Sequence, residues 1–308
     1  MQITNNLGKL IKTSFKSCTQ DKLLKKYFLI LAILQIISMF TALILTSTIL
    51  TPEMLLDVQA GNVMTYLPSL IFYFAIIFTF AIVISLIFAI IGYLIIYRGL
   101  ELVGKKPQKI DFVRFIKFIF LGLVTAFYAI FSVFNLKLFL IFVVGLILIL
   151  IGALSLILNS VLGGILLTVG LLILFAYLFV IIYNLYRLIF IEVLFIEKGE
   201  VRKGLEESYN ITKGNVLDII IAFFVIGIII AIILVIVDLP NTIYVFMIGF
   251  AQGVSGSTSE VTQLTLMSDP IYWILQIPSA VATAFYLVFI NVFIVNAYAL
   301  LVHKKQKK

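Results

Sequence analysis

Uninterrupted apolar runs recur along the whole chain, each longer than about 18 residues and so long enough to cross a hydrocarbon layer of about 30 Å as a helix. They read as crossings at 27–50, 69–98, 115–134, 161–196, 216–237 and 271–302. Continuous apolarity favours helices over the alternating strands of a barrel. The run 69–98 would be about 45 Å long at the helical rise, so it must tilt or project beyond the layer. Pro68 suits the first turn of that helix, where a missing N–H is harmless. Two stretches have amphipathic spacing instead. Residues 1–26 place Leu7, Leu10, Ile11, Ser14 and Phe15 at helical intervals among lysines, and 197–213 places Val201, Leu205, Ser208, Tyr209 and Thr212 on one face.

Charge gives the runs an orientation. Lys9, Lys12, Lys16, Lys22, Lys25 and Lys26 precede the first run, and Lys105, Lys106, Lys109, Arg114 and Lys117 follow the second. Lys198, Arg202, Lys203 and Lys213 precede the fifth, and His303 with four lysines closes the chain. The connections 51–67 and 238–270 hold Glu53, Asp57, Asp238, Glu260 and Asp269 and no Lys or Arg. The positive-inside rule puts the basic segments and both termini in the cytoplasm and requires an even number of crossings between Arg114 and Lys198. The apolar segment 138–158 would make that number odd. It is expected to be re-entrant, bent at Gly145 and Gly152, or embedded in the outer half of the membrane; seven crossings with a broken charge rule is the alternative.

Composition agrees with this reading: 63% of the 308 residues are hydrophobic and 12% charged, against about 25% charged in soluble domains. The expected fold class is therefore an all-α polytopic membrane protein with six transmembrane helices, localised to the cell membrane. A net charge of +8 is explained by inner loops, so nucleic acid is not an expected partner. Membrane lipids are, and other membrane proteins are possible partners. The chain also reads as a single membrane domain with a threefold repeat of an amphipathic helix plus a helical hairpin, in units 1–103, 104–196 and 197–308.

Within the third unit, an Arg near the end of a long helix (Arg187) is followed by IEKGE, a helix with Leu205 and Ser208, and ITKGN before the next run. The motif Ser208-Tyr209-Asn210-Ile211-Thr212-Lys213-Gly214-Asn215 resembles the membrane domain attached to some bacterial glycerophosphoryl diester phosphodiesterases. It is also similar to archaeal and bacterial membrane families of unknown function that share Ser208, Thr212, Lys213, Gly214 and Asn215. The match is specific across this stretch and elsewhere extends to helix order alone. It implies a six-helix membrane domain of undefined activity; the phosphodiesterase chemistry belongs to a separate soluble domain.

Catalytic chemistry has few candidates. Gly253-Val254-Ser255-Gly256 carries the letters of an intramembrane serine protease, but His303, the only histidine, falls on the opposite side of the expected topology, and a serine nucleophile needs a base in reach. Asn210-Ile211-Thr212 is a sequon in letters only, given its cytoplasmic placement. One cysteine, Cys18, and dispersed acidic residues give no metal-ligand spacing. No enzyme activity, cofactor or metal is expected. The polar residues at the inner ends of the long helices are the candidate site: Arg98 with Glu101, Asn184 with Arg187 and Glu192, and Asn291 with Asn296 and Tyr298. A charge in lipid costs about 2.5 to 3.5 kcal/mol, so Arg187 needs a partner. Glu192, five residues on, is poorly placed to be it on a continuous helix. These residues are expected to form one inner polar cluster, covered by 197–213. The expected function is a non-enzymatic scaffold or lipid-contacting module, with a small transporter or channel as the alternative.

Overall fold

A backbone surrounded by lipid must satisfy its own N–H and C=O groups, and long helices do this wherever the sequence is continuously apolar. The computed structural model describes residues 3–49, 63–109, 111–131, 136–158, 160–254 and 269–305. Among them, every regular element is helical. A short 3₁₀ turn, Thr4–Asn6, leads into α1 (Leu7–Gln20), α2 (Lys22–Ile49), α3 (Val63–Leu102), α4 (Phe112–Ile130) and α5 (Leu136–Leu158). Then come α6 (Ser160–Arg187), α7 (Ile191–Lys198), α8 (Val201–Thr212), α9 (Val216–Val254) and α10 (Pro270–Lys305). Seven helical runs among the described residues are long and apolar enough to cross a membrane: α2, α3, α4, α5, the joined run α6–α7, α9 and α10. The chain is thus an all-α protein built for a membrane, with one more such helix than the six expected crossings.

The segment 138–158 differs most from expectation. It lies in the continuous helix α5, which is not interrupted at Gly145 or Gly152. Gly145 and Gly152 on α5, and Gly163 and Gly170 on α6, lie where the two backbones touch. A Cβ built on Gly163 would stand 2.5 Å from the Leu156 nitrogen, and one on Gly152 2.7 Å from the Leu167 nitrogen. Lipid offers no hydrophobic drive for helix pairing, so close backbone approach at small residues provides the attraction. The outer faces are apolar and exposed, as at Leu150, Leu154, Leu172 and Phe179.

Two other boundaries move. Helix α3 begins at Val63, so Pro68 lies inside it rather than in its first turn. Helix α9 continues through Asp238 and Pro240 to Val254, so the first part of 238–270 is helix rather than loop. Glu53, Asp57 and Glu260 lie outside the described residues, as do Ser255 and Gly256 of the serine motif.

The amphipathic stretches form α1 and α8. On α1 the buried positions are Leu10, Ser14 and Cys18, spaced four apart, while Phe15 is exposed. Helix α8 buries Gly204, Leu205, Ser208, Ile211 and Thr212 and ends as its sequence predicts, with Gly214 at φ +82° in the left-handed region. Helix α4 also has a polar start, Asp111, Arg114 and Lys117. Its Phe118, Leu121 and Ala129 are buried and its Phe112, Phe120, Leu123 and Phe127 exposed. Two compact units result. One comprises Met1–Leu10, Gly99–Phe223 and Ile294–Lys308, and the other Ile11–Arg98 and Phe224–Phe293.

Candidate functional site

In the first unit the polar chemistry gathers where α6 ends. The last carbonyls of a helix have no intrahelical donor, and the chain turns at Leu188–Phe190 before restarting as α7, leaving the Arg187 carbonyl open. Helix α8 fills that gap. Ser208 Oγ donates to the Arg187 oxygen at 3.0 Å and accepts from the Phe190 N–H at 3.2 Å. Thr212 Oγ1 lies 3.1 Å from the same oxygen and 2.8 Å from the Ser208 carbonyl one turn back. Both hydroxyls are fully buried.

The Arg187 side chain, 7% exposed, reaches the other way along α8. Its Nη2 donates to the Tyr209 carbonyl at 2.8 Å, and its Cζ stands 3.3 Å from the Tyr209 ring centroid. Stacking on an aromatic face offsets part of the desolvation of a buried guanidinium, by about 0.5 to 2 kcal/mol. Its Nε is buried without a hydrogen-bond partner. Glu192 lies in the first turn of α7, half-buried. Because α6 and α7 are separate helices, the continuous-helix spacing expected for Arg187 and Glu192 does not apply.

Helix α7 is the apolar centre of this unit, with Ile191, Val193, Leu194, Phe195 and Ile196 all buried. Beside it, Tyr298 on α10 donates its Oη to Glu197, and Lys105 Nζ lies 3.2 Å from the other Glu197 oxygen. Gln108 N–H donates to the Ile196 carbonyl at 3.0 Å, and Gln108 Nε2 to Lys198 O at 2.8 Å. The chain thus leaves the residues before α4 and returns to the end of α7 at the same place. Along the way Phe118 stacks on Phe195 at 6.4 Å, Asn184 Nδ2 donates to the Ala129 carbonyl at 3.1 Å, and Tyr177 Oη to the Ile130 carbonyl at 2.6 Å. Helix α4 therefore runs antiparallel to α7 and the last turns of α6, while α5 pairs with the rest of α6.

Asp218, in the first turn of α9, is a buried carboxylate that the sequence reading did not single out. It accepts from the Ile3 N–H at 2.6 Å, the Thr4 N–H at 3.1 Å and the Thr4 hydroxyl. The available signal was a lone acidic residue at the start of an otherwise apolar run.

In the second unit Arg98 donates from Nη2 and Nε to Asp21, at 2.7 and 3.2 Å. Asp21 also caps α2 through the N–H groups of Leu23 and Leu24, both at 3.0 Å. Burial would raise the Asp21 carboxyl, but the Arg98 guanidinium and the two N–H groups outweigh it and hold the group below its ordinary 3.8. Asn291 on α10 donates to its own Leu287 carbonyl at 2.8 Å. It shares a cleft of about 180 Å³ with Gln35 and Gly92.

The candidate residues are divided between the two units. Arg98 and Asn291 belong to the second unit, and Glu101, Asn184, Arg187, Glu192, Asn296 and Tyr298 to the first. What the fold does bring together is Arg187 with Ser208 and Thr212 of the family-like motif. Lys213 is exposed, and Gly214 and Asn215 make the turn into α9. Chemically, the junction satisfies helix ends and stabilises a buried cation. Among the described residues no group of three or more His, Cys, Asp or Glu side chains could hold a metal ion. No family model, curated protein or solved structure matches the chain.

Proposed function

We propose that the protein is a six-crossing integral membrane module of the cell membrane, with both termini cytoplasmic, acting as a non-enzymatic scaffold or lipid-contacting platform. The observation that carries this reading is the clamp of α8 onto the open end of α6 through Ser208, Thr212 and Arg187. It commits the polar residues of the inner face to holding an amphipathic helix in place. The resemblance of Ser208–Asn215 to the membrane domain of glycerophosphoryl diester phosphodiesterases fits a module of this kind. Its partners on this reading are membrane lipids and other membrane proteins.

Three repeats describe the chain: α1 with α2 and α3, α4 with α5 and α6, and α8 with α9 and α10. Each is an amphipathic helix followed by a hairpin. In this register α5 crosses, since its 23 residues reach about 34 Å at the helical rise. Helix α4 lies at the inner interface beside α7. The hydrogen bond from Gln108 to Ile196 supports an even number of crossings between them, and the cation-rich segments orient them inward.

Labelling tests this topology. In a Cys18→Ser background, Glu200→Cys, Lys137→Cys and Glu260→Cys are treated from outside with a membrane-impermeant maleimide, and only the last is expected to react. Outside labelling at Lys137→Cys would make α4 a crossing and overturn the register. The cleft beside Gln35 and Asn291 favours a small transporter or channel as a second reading. Solute flux in reconstituted vesicles that Gln35→Leu abolishes would support it over the scaffold.

A further inference from the structure

Asp238 lies about 33 Å along α9 from Val216 at the helical rise, within an apolar helix long enough to span a membrane. That is the far edge of a hydrocarbon layer of about 30 Å, where a half-buried carboxylate favours a counter-charge. From Gly214 to Val302 the sequence contains no Lys, Arg or His, and the hydrogen bonds around Asp238 come from neutral groups. Ser279 Oγ on α10 lies 3.0 Å from Oδ1, Asn241 Nδ2 3.4 Å from Oδ1, and Thr242 Oγ1 3.4 Å from Oδ2.

A second, independent observation is the Asn241 side chain itself. It is 7% exposed, and its Oδ1 is buried with no hydrogen-bond partner. A buried acceptor left unpaired is costly. A half-turn of the amide about χ2 presents Oδ1 to the carboxylate, which is repulsive unless a cation lies between them. The spacing suits one: contacts of 3.4 Å are long for hydrogen bonds, whereas oxygens bound to one hard cation at about 2.4 Å and near right angles lie about 3.4 Å apart. Pro240, lacking an N–H, also removes the donor expected by the Ile236 carbonyl in the same turn.

We infer that Asp238, Asn241 and Ser279, with Thr242 completing the oxygen set, form a sodium-ion site between α9 and α10. The ligand class follows from the donors. All are oxygen, which disfavours the softer transition metals. One carboxylate neutralises a monovalent ion, whereas a divalent ion would leave a net positive charge at a half-buried site. The site goes beyond a scaffold role, because it gives the membrane part of the chain a specific small ligand.

The test uses the full chain purified in lipid nanodiscs at pH 7.5, with radiolabelled sodium as the probe and choline chloride as the inert salt. Wild type is expected to retain labelled sodium that unlabelled NaCl displaces and choline does not, and to melt at higher temperature in NaCl than in choline chloride. Asp238→Asn and Ser279→Ala should each cut retention roughly tenfold or more. Thr283→Ala, which loses only a hydroxyl bonded to the Ser279 carbonyl, should bind as wild type does. Ser279→Ala carries the test if Asp238→Asn does not fold. Retention no higher in wild type than in these two variants, or equal melting in the two salts, overturns the site. Displacement by CaCl₂ at lower concentration than NaCl overturns the monovalent assignment.

Discussion

Arg187 is anchored twice, its carbonyl by two hydroxyls and its guanidinium by a tyrosine, both from α8. Ser208→Ala leaves the buried Phe190 N–H without its acceptor, and an unsatisfied buried donor costs about 1 to 3 kcal/mol. A lowered thermal midpoint in detergent is the expected outcome. The slightly larger Ser208→Cys should recover less than half of the loss, because a thiol is a weak hydrogen-bonding group. Asp21 makes stability depend on pH. Its carboxyl is held below 3.8 when folded, so its contribution is present above that value and is lost as the pH falls through the lower, folded value. Melting temperature should therefore drop below about pH 4 in wild type and stay flatter in Asp21→Asn. The buried Cys18 thiol is pushed up to about 12 by burial, against a smaller opposing backbone hydrogen bond. Its folded thiolate fraction near neutral pH is then about a thousandfold below that of an ordinary thiol. Maleimide should react slowly with native protein and rapidly after denaturation.

Among the elements, the α5–α6 hairpin has the least tolerance for added atoms. Gly163→Leu must push its side chain into the Leu156 backbone, whereas a Cβ on Gly164, the next residue, meets nothing within 4 Å. The first substitution should abolish the folded monodisperse peak in size-exclusion chromatography and the second should preserve it. This hairpin also shows what a sequence can and cannot disclose. Apolar length made α2, α3, α6, α9 and α10 readable, and spacing plus Gly214 made the end of α8 readable to within a residue, although α8 starts at Val201 rather than at Glu197, which belongs to α7. The glycines at 145 and 152 carried an ambiguous message, because a small residue permits a bend and close packing equally. Only the partners at 163 and 170, the same seven residues apart, distinguish the two, and pairing between helices is not written in either one alone. The clamp was half-legible for the same reason. Burial of Ser208 and Thr212 follows from their face of α8, but their acceptor, a main-chain carbonyl, has no side-chain signature.

Across the whole molecule, polar ties join segments far apart in sequence. Asp218→Asn weakens the hold on Ile3 and Thr4 by removing a charge-assisted acceptor. Trypsin should then cut after Lys9 about tenfold faster than in wild type, read by mass spectrometry under native conditions. Arg98 and Arg187, expected at similar depth, belong to different packing units. The tie at Asp218 also has a meaning in time. Ile3 and its acceptor are separated by 215 positions, and chains grow at about 5 to 20 residues per second, so the first turn waits roughly 10 to 40 s for its acceptor to be made. During that interval Ile3 and Thr4 lack this acceptor, and the first unit, which also includes Ile294–Lys308, is complete only after the last helix has been synthesised.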